Sequence, residues 1–242
     1  MPHLLGHGKI LASSSTGSHR FGRTDDQSRA SRMAKLYFRY SAMNAGKSIA
    51  LLQVAHNYEE QGMQVVLFTA EIDDRFGRAT IASRLGVTRR ARTFGPATDF
   101  YTRLERGIEL FLDDDQTIAP EMQAFFTAGA KPIAAVLIDE AQFLEPVQVR
   151  QLHRLAHVVG IPVICYGIRT DFRGDPFPGA TYLLALADTI EEIKNICACG
   201  KKATMNVRLE PDGSRSVTGE QIAIEGAARY IQTCGRCFYL GG

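Results

Sequence analysis

From residue 35 onward, short uninterrupted apolar runs alternate with stretches whose apolar positions recur every three or four residues. Residues 35–40 form an aromatic run of strand length. A turn of small residues follows at 43–48. Leu51, Val54, Ala55 and Tyr58 then fall at i, i+3, i+4 and i+7 of a helix, with Gly62 at its C-terminal stop. Residues 65–69 read as a strand, and 99–112 and 120–127 as two helices parted by the acidic break Asp113-Asp114-Asp115. Residues 135–138 give another strand. Leu152, Leu155, Ala156 and Val159 mark one face of a helix closed by Gly160, and residues 162–166 form one more strand. Continuous apolar strands alternating with amphipathic helices predict an α/β fold, a parallel sheet covered on both faces.

The rhythm stops after Lys194. The C-terminal stretch is rich in Cys, Gly and Arg, and the turn sequence Pro211-Asp212-Gly213-Ser214 separates two short strand-like runs. A main domain over 33–193 and a small C-terminal domain over 194–242 are therefore expected. Residues 1–32 differ from both. They are rich in Ser, Gly, Arg and His, lack an apolar period, and are expected to form a disordered tail, with Met33 as the natural beginning of the fold.

Charge sharpens this division. Five Lys or Arg against Asp25 and Asp26 give residues 1–32 a charge of +3, which leaves −1 on the rest of a chain whose total is +2. A near-neutral body gives no electrostatic case for nucleic acid as a partner. No apolar run approaches the ~18 residues of a membrane span, and no secretory h-region is present, so a cytoplasmic protein is expected.

Three groups of residues carry chemistry. Ser41-Ala42-Met43-Asn44-Ala45-Gly46-Lys47-Ser48 fits the P-loop pattern except that Ser41 stands in place of the first Gly. It lies between a predicted strand and a predicted helix, where backbone N–H groups and the helix dipole favour phosphate. Gly46 allows close approach, Lys47 reaches the β/γ phosphates, and Ser48 ligates Mg²⁺. Residues 136–138 end in Asp139 and Glu140. Asp139 suits the Mg²⁺ shell and Glu140 a general base, facing the P-loop from a neighbouring strand tip. Cys197-Ala198-Cys199 and Cys234-Gly235-Arg236-Cys237 form two close pairs separated by 34 residues. Four such cysteines suit a structural tetrahedral Zn²⁺; two disulfides are the rival, although nothing else suggests an oxidising compartment. Cys165, inside an apolar strand, reads as a buried thiol. The six histidines show no metal spacing, His56, His153 and His157 read as ordinary helix residues, and Arg89-Arg90-Ala91-Arg92 as a solvated face.

With these pieces the chain resembles the zinc-containing (type II) thymidine kinases, bacterial branch, from about residue 33 to 239. The matching stretches are the P-loop with Tyr40, Ala70-Glu71-Ile72-Asp73-Asp74-Arg75-Phe76-Gly77, Asp139-Glu140-Ala141-Gln142-Phe143, Tyr166-Gly167-Ile168-Arg169-Thr170-Asp171-Phe172-Arg173-Gly174 and the two cysteine pairs. The resemblance implies a P-loop NTPase-type sheet with a small zinc-ribbon-like domain. It implies ATP-dependent phosphorylation of the thymidine 5′-hydroxyl in nucleotide salvage for DNA synthesis, with Glu140 as base. Asp139, Glu140, Ala141 and Gln142 would line the nucleotide site. Tyr230 matches a tyrosine in the loop closing over the base; Met43, Phe143, Phe172 and Phe177 match apolar residues around thymine and sugar. Asp73 and Arg75 match a mobile segment over the substrate, and Arg208 a nearby basic position. The family also implies a homotetramer inhibited by thymidine triphosphate. The chain departs from the pattern at Glu225-Gly226, where Gly-Gly is usual, and over 116–131, longer than in most relatives and read as an added helix.

Two other readings stay open on the residues. A helicase- or recombinase-type ATPase would use the acidic strand end to activate water, and single-stranded DNA would stimulate it. A zinc-ribbon adaptor with a relic nucleotide domain would show no nucleoside-dependent ADP production; the complete set of Lys47, Ser48, Asp139 and Glu140 argues against it.

Overall fold

The structure, a computed structural model, describes residues 34–73, 75, 77–100, 133–221 and 229–241. The expected N-terminal tail, nearly all of both helices in 99–127, the longer segment at 116–131 and Glu225-Gly226 lie outside these residues.

Six strands form one parallel sheet. In chain order they are β1 (Leu36–Tyr40), β2 (Gln64–Ala70), β5 (Arg92–Phe94), β6 (Ile133–Ile138), β7 (Val163–Gly167) and β8 (Thr189–Glu192). Across the sheet they run β5-β2-β6-β7-β1-β8. β7 thus lies between β1 and β6, pairing Val163 with both Leu36 and Val136. The phosphate-binding turn and the acidic strand end, expected on neighbouring strands, flank this intervening strand.

Around β2, β6 and β7 both sheet faces are largely buried, which is why these strands read as apolar runs. Alternation sends Phe38, Val136 and Ile138 to one face and Leu67, Leu137 and Ile164 to the other. The first face is covered by Val149 and Leu152 of α2 (Pro146–Arg154) and by Ala180 and Leu183 of α3 (Pro178–Leu186). The second is covered by Leu51, Leu52 and Ala55 of α1 (Lys47–Glu60), the expected amphipathic face. α2 begins with Pro146 and a capping box in which the Glu145 N–H donates to Gln148 Oε1 at 2.9 Å.

Periodicity assigned nothing between 180 and 193, where the structure has most of α3 and the edge strand β8. α3 is apolar nearly all round, which hides helical period. Residues 80–94 likewise form a hairpin, β3 (Thr80–Ala82) against β4 (Thr88–Arg90), and then β5. Arg89, read as solvated, forks onto Glu59 at 2.8 and 2.6 Å.

Beyond β8, β9 (Met205–Leu209) and β10 (Arg229–Thr233) form a separate antiparallel pair, followed by α4 (Gly235–Leu240). The second run of the expected turn at Pro211-Asp212-Gly213-Ser214 shrinks to one bridge, Leu209 to Arg215; β10 takes its place because it pairs with β9 along its whole length.

Candidate active site

The chain leaves β1 at Tyr40 and turns over the carboxyl ends of the strands. Asn44 and Gly46 take left-handed backbone, with φ of 62° and 82°. Asn tolerates that region, and Gly46 is needed there because an added Cβ would be strained and 3.3 Å from Ile49 Cγ2. α1 starts without a side-chain cap, so its first-turn N–H groups are left to bind an anion. Lys47 is only 8% exposed. Its Nζ donates to Ser41 Oγ and to Ala42 O, both at 3.2 Å. Ser41 therefore supplies a hydroxyl acceptor that a glycine would lack. Burial lowers the Lys47 pKa, while the Glu140 and Asp139 carboxylates pull it back up.

At the end of β6 the Ser48 hydroxyl donates to Asp139 Oδ2 at 2.8 Å. Asp139 is 3% exposed, and burial together with the neighbouring Glu140 charge raises its pKa to about 7, against the opposing effect of the Ser48 bond. Glu140 sits in left-handed backbone, φ 51°, a strained position of the kind that collects at functional sites. Arg75 Nη2 donates to Glu140 Oε1 at 2.8 Å, Gln142 Nε2 donates to Glu140 Oε2, and Arg75 also pairs with Asp73. The bonds to Asp73 and the Glu140 charge raise the Arg75 pKa against its burial.

These groups open into a cleft of about 1670 Å³. Ligand sites commonly occupy roughly 300–1,000 Å³, so this one has room for two substrates. Met43 to Ser48, Asp139, Glu140 and Gln142 line it, as do Asp73 and Arg75. Phe143, Phe172, Phe177 and Tyr230 line it as well. Phe143 meets Phe177 edge to face, with centroids 5.7 Å apart, an apolar lining for the cleft. Ser41, Ala42 and Ala141 are buried behind the lining. Arg208 also lies outside it. Its guanidinium stacks 3.8 Å from the Phe172 ring centroid and is spent on Ser216 Oγ, Thr218 O and Glu220 O, so it braces Phe172 and the following loop.

The 3₁₀ turn Ala141–Phe143, which carries Gln142 and Phe143, leaves no room behind it. A Cβ on Gly179 would lie 2.5 Å from Leu144 O, 2.7 Å from Gln142 O and 2.9 Å from Ala141 O. Gly179→Ala is expected to destabilise the chain by about 1–3 kcal/mol, and an unchanged melting temperature would contradict this packing.

Sequence reasoning missed the ties between this turn system and the C-terminal strands. The Met43 N–H donates to Asn206 Oδ1 at 2.7 Å, and Asn206 Nδ2 donates to Thr170 O at 3.2 Å. Asn195 Nδ2 donates to Met43 O at 3.0 Å, and Asn44 Nδ2 to Tyr230 O and Gln232 Oε1. Asn206 is buried in β9, where a polar side chain needs partners, but its local sequence does not mark them.

Below Tyr230 the two cysteine pairs converge. Cys197, Cys199, Cys234 and Cys237 place their sulfurs within 4.8 Å of one another, and all are free thiols. The Cys199–Cys234 sulfur separation is 3.6 Å, close to the roughly 3.8 Å between ligands of tetrahedral zinc at about 2.3 Å. Backbone N–H donors lower the Cys197 thiol to about 6 and also lower Cys234, whereas bonds shared with the other sulfurs raise Cys237 to about 12. Donor set and geometry fit Zn²⁺, and the two rival disulfides do not account for four sulfurs around one point.

The thymidine kinase family profile matches residues 34–238. A thymidine kinase of Chromobacterium violaceum is 50% identical over 207 residues, 86% of this chain and 99% of the relative. One of Albidiferax ferrireducens is 51% identical over 208 residues, 86% and 93% of the two chains. One of Idiomarina loihiensis is 50% identical over 202 residues, 84% and 94%. The chain belongs to the thymidine kinase family.

Proposed function

We propose that this chain transfers the γ-phosphoryl group of ATP to the 5′-hydroxyl of thymidine, giving thymidine monophosphate for nucleotide salvage. The observation that carries this is the meeting of Lys47, the Ser48–Asp139 bond and the Glu140 carboxylate in one cleft with an aromatic lining. Phosphoryl transfer asks chiefly for positioning and charge neutralisation. The loop amides and Lys47 hold the β/γ phosphates. Ser48 and Asp139 would hold Mg²⁺, which would supply charge neutralisation at the phosphate oxygens. Glu140 accepts the proton of the 5′-hydroxyl, oriented by Gln142 and Arg75. Met43, Phe143, Phe172 and Phe177 hold base and sugar, and Tyr230 closes from the C-terminal side.

In this reading residues 33–193 form the phosphotransfer domain and 194–242 a lid organised by zinc on the four cysteines, with 1–32 as a tail. The family resemblance extends the proposal to a cytoplasmic homotetramer that binds thymidine triphosphate as feedback inhibitor, open to light scattering with and without that nucleotide. Production of radiolabelled ADP from ATP, measured with thymidine, with other nucleosides and with single-stranded DNA, tests the activity. Stimulation by DNA and not by any nucleoside would sink it.

The raised Asp139 pKa gives a pH dependence. The folded chain binds that proton more tightly than the unfolded chain, so the associated stability is present at low pH. It is lost as pH rises from the ordinary 3.8 through about 7. Mg²⁺ favours the ionised form. Without Mg²⁺ the melting temperature is therefore expected to fall across this window, while Mg²⁺·ATP affinity rises through about pH 7. Calorimetry with and without the ion reads both slopes, and parallel slopes would contradict the assignment.

A further inference from the structure

α2 runs into a π turn, Leu155–Val159, closed by the bond from the Gly160 N–H to Leu155 O at 3.2 Å. Such widened turns are rare and recur at functional sites. This one carries His157 one turn beyond His153, and the two ring centroids lie 4.4 Å apart. Asp188, the residue before β8, arrives from a distant part of the chain. Its Oδ2 lies 3.0 Å from His157 Nε2 and accepts the Leu36 N–H at 2.8 Å. Ligand atoms of the three side chains all fall within 4.8 Å of one another.

The geometry points to a second metal site: His153, His157 and Asp188 hold a borderline divalent cation of the Zn²⁺ or Ni²⁺ class at the amino ends of the strands. Two histidines at i and i+4 on one helical face are the chelating pair that zinc sites use. Two imidazoles with one carboxylate favour such an ion over Ca²⁺ or Mg²⁺, which take oxygen ligands. The Leu36 N–H orients the carboxylate, as outer hydrogen bonds do for metal ligands. Small rotations of the half-exposed imidazoles bring the donors to the roughly 3.4 Å separations of tetrahedral ligands at about 2.0–2.1 Å. His157 and Asp188 are exposed, so water completes the coordination. Leu36 begins β1 whereas the P-loop comes after its last residue, so the site lies at the opposite end of the strand from the cleft. It staples the end of α2 to the start of β8 and takes no part in phosphoryl transfer.

The untagged full chain, its zinc content first measured, is titrated with Ni²⁺ by calorimetry, and its melting temperature is followed. One further equivalent with a saturable rise in melting temperature is expected. His153→Ala and His157→Ala should each weaken this binding about tenfold or more, and His56→Ala should leave it unchanged. Thymidine turnover in both site variants should match the parent, which also shows that they fold; His157→Gln replaces any variant that does not. Failure to bind Ni²⁺, as expected if His157 and Asp188 are only an ion pair, overturns the site. So does binding that survives both histidine substitutions, as it would on the cysteines or on His3, His7 and His19.

Discussion

Glu140→Gln should lower thymidine turnover by about 10²- to 10⁴-fold, the range typical of a lost general base, while leaving the fold intact. The substitution keeps the shape of the side chain and one acceptor for Gln142, but removes the basic oxygen and the bond from Arg75. It also removes a negative charge beside buried Asp139, one of the causes of that residue's raised pKa. The variant should therefore be no less stable than the parent above pH 7, with Asp139 titrating lower. Steady-state kinetics should show the loss in kcat with little change in KM for ATP, since the phosphate contacts belong to Lys47 and the loop amides. Parental kcat in a folded Glu140→Gln chain would remove Glu140 from the mechanism. An equal loss in kcat and in melting temperature would make it a structural residue instead.

Removing zinc should have the other large effect. The segment that holds the cysteines has a small apolar core, with Ala42, Ala203, Cys197 and Cys234 as its buried cluster and Cys237 packed against them. Structural zinc contributes about 10–16 kcal/mol of apparent binding energy in small domains, comparable to the whole stability of a typical fold. Chelation, or Cys199→Ser, is expected to unfold much of 194–242 and to weaken thymidine binding sharply. The damage should reach the phosphate site too, because Asn206, Asn195 and the Tyr230 carbonyl hold Met43 and Asn44 in place. KM for ATP should rise along with KM for thymidine, which a passive lid would not cause. Zinc release followed with a metallochromic indicator, alongside turnover and melting, tests this. Full activity after loss of one equivalent would refute the assignment.

The contrast between these two effects comes from how the site is encoded. Glu140 and Lys47 were visible because each sits at a junction between a strand and a turn, where local pattern and chemistry coincide. Asn206 was not, because its importance comes from a partner at Met43, far away in sequence. His153 and His157 showed no metal spacing by themselves, because an i, i+4 pair on a helix says nothing until a third donor is found. Asp188 supplies it only because β8 lies beside β1. Arg208 was visible as a cation, but only tertiary contacts reveal that its donors are spent on Ser216, Thr218 and Glu220 and its face on Phe172.

By itself the amino-acid order determined the alternation of buried strands and helices, the phosphate turn, the acidic strand end and the paired cysteines. All of these depend on interactions within a few residues, whose spacing the chain carries directly. The placement of β7 between β1 and β6, the α3–β8 return, the left-handed turn at Glu140 and the ties from Asn206 and Asn195 were decided only in three dimensions. Strand order and buried polar partners depend on which distant surfaces pack together, and the free energy of that packing is not written in any short stretch of chain.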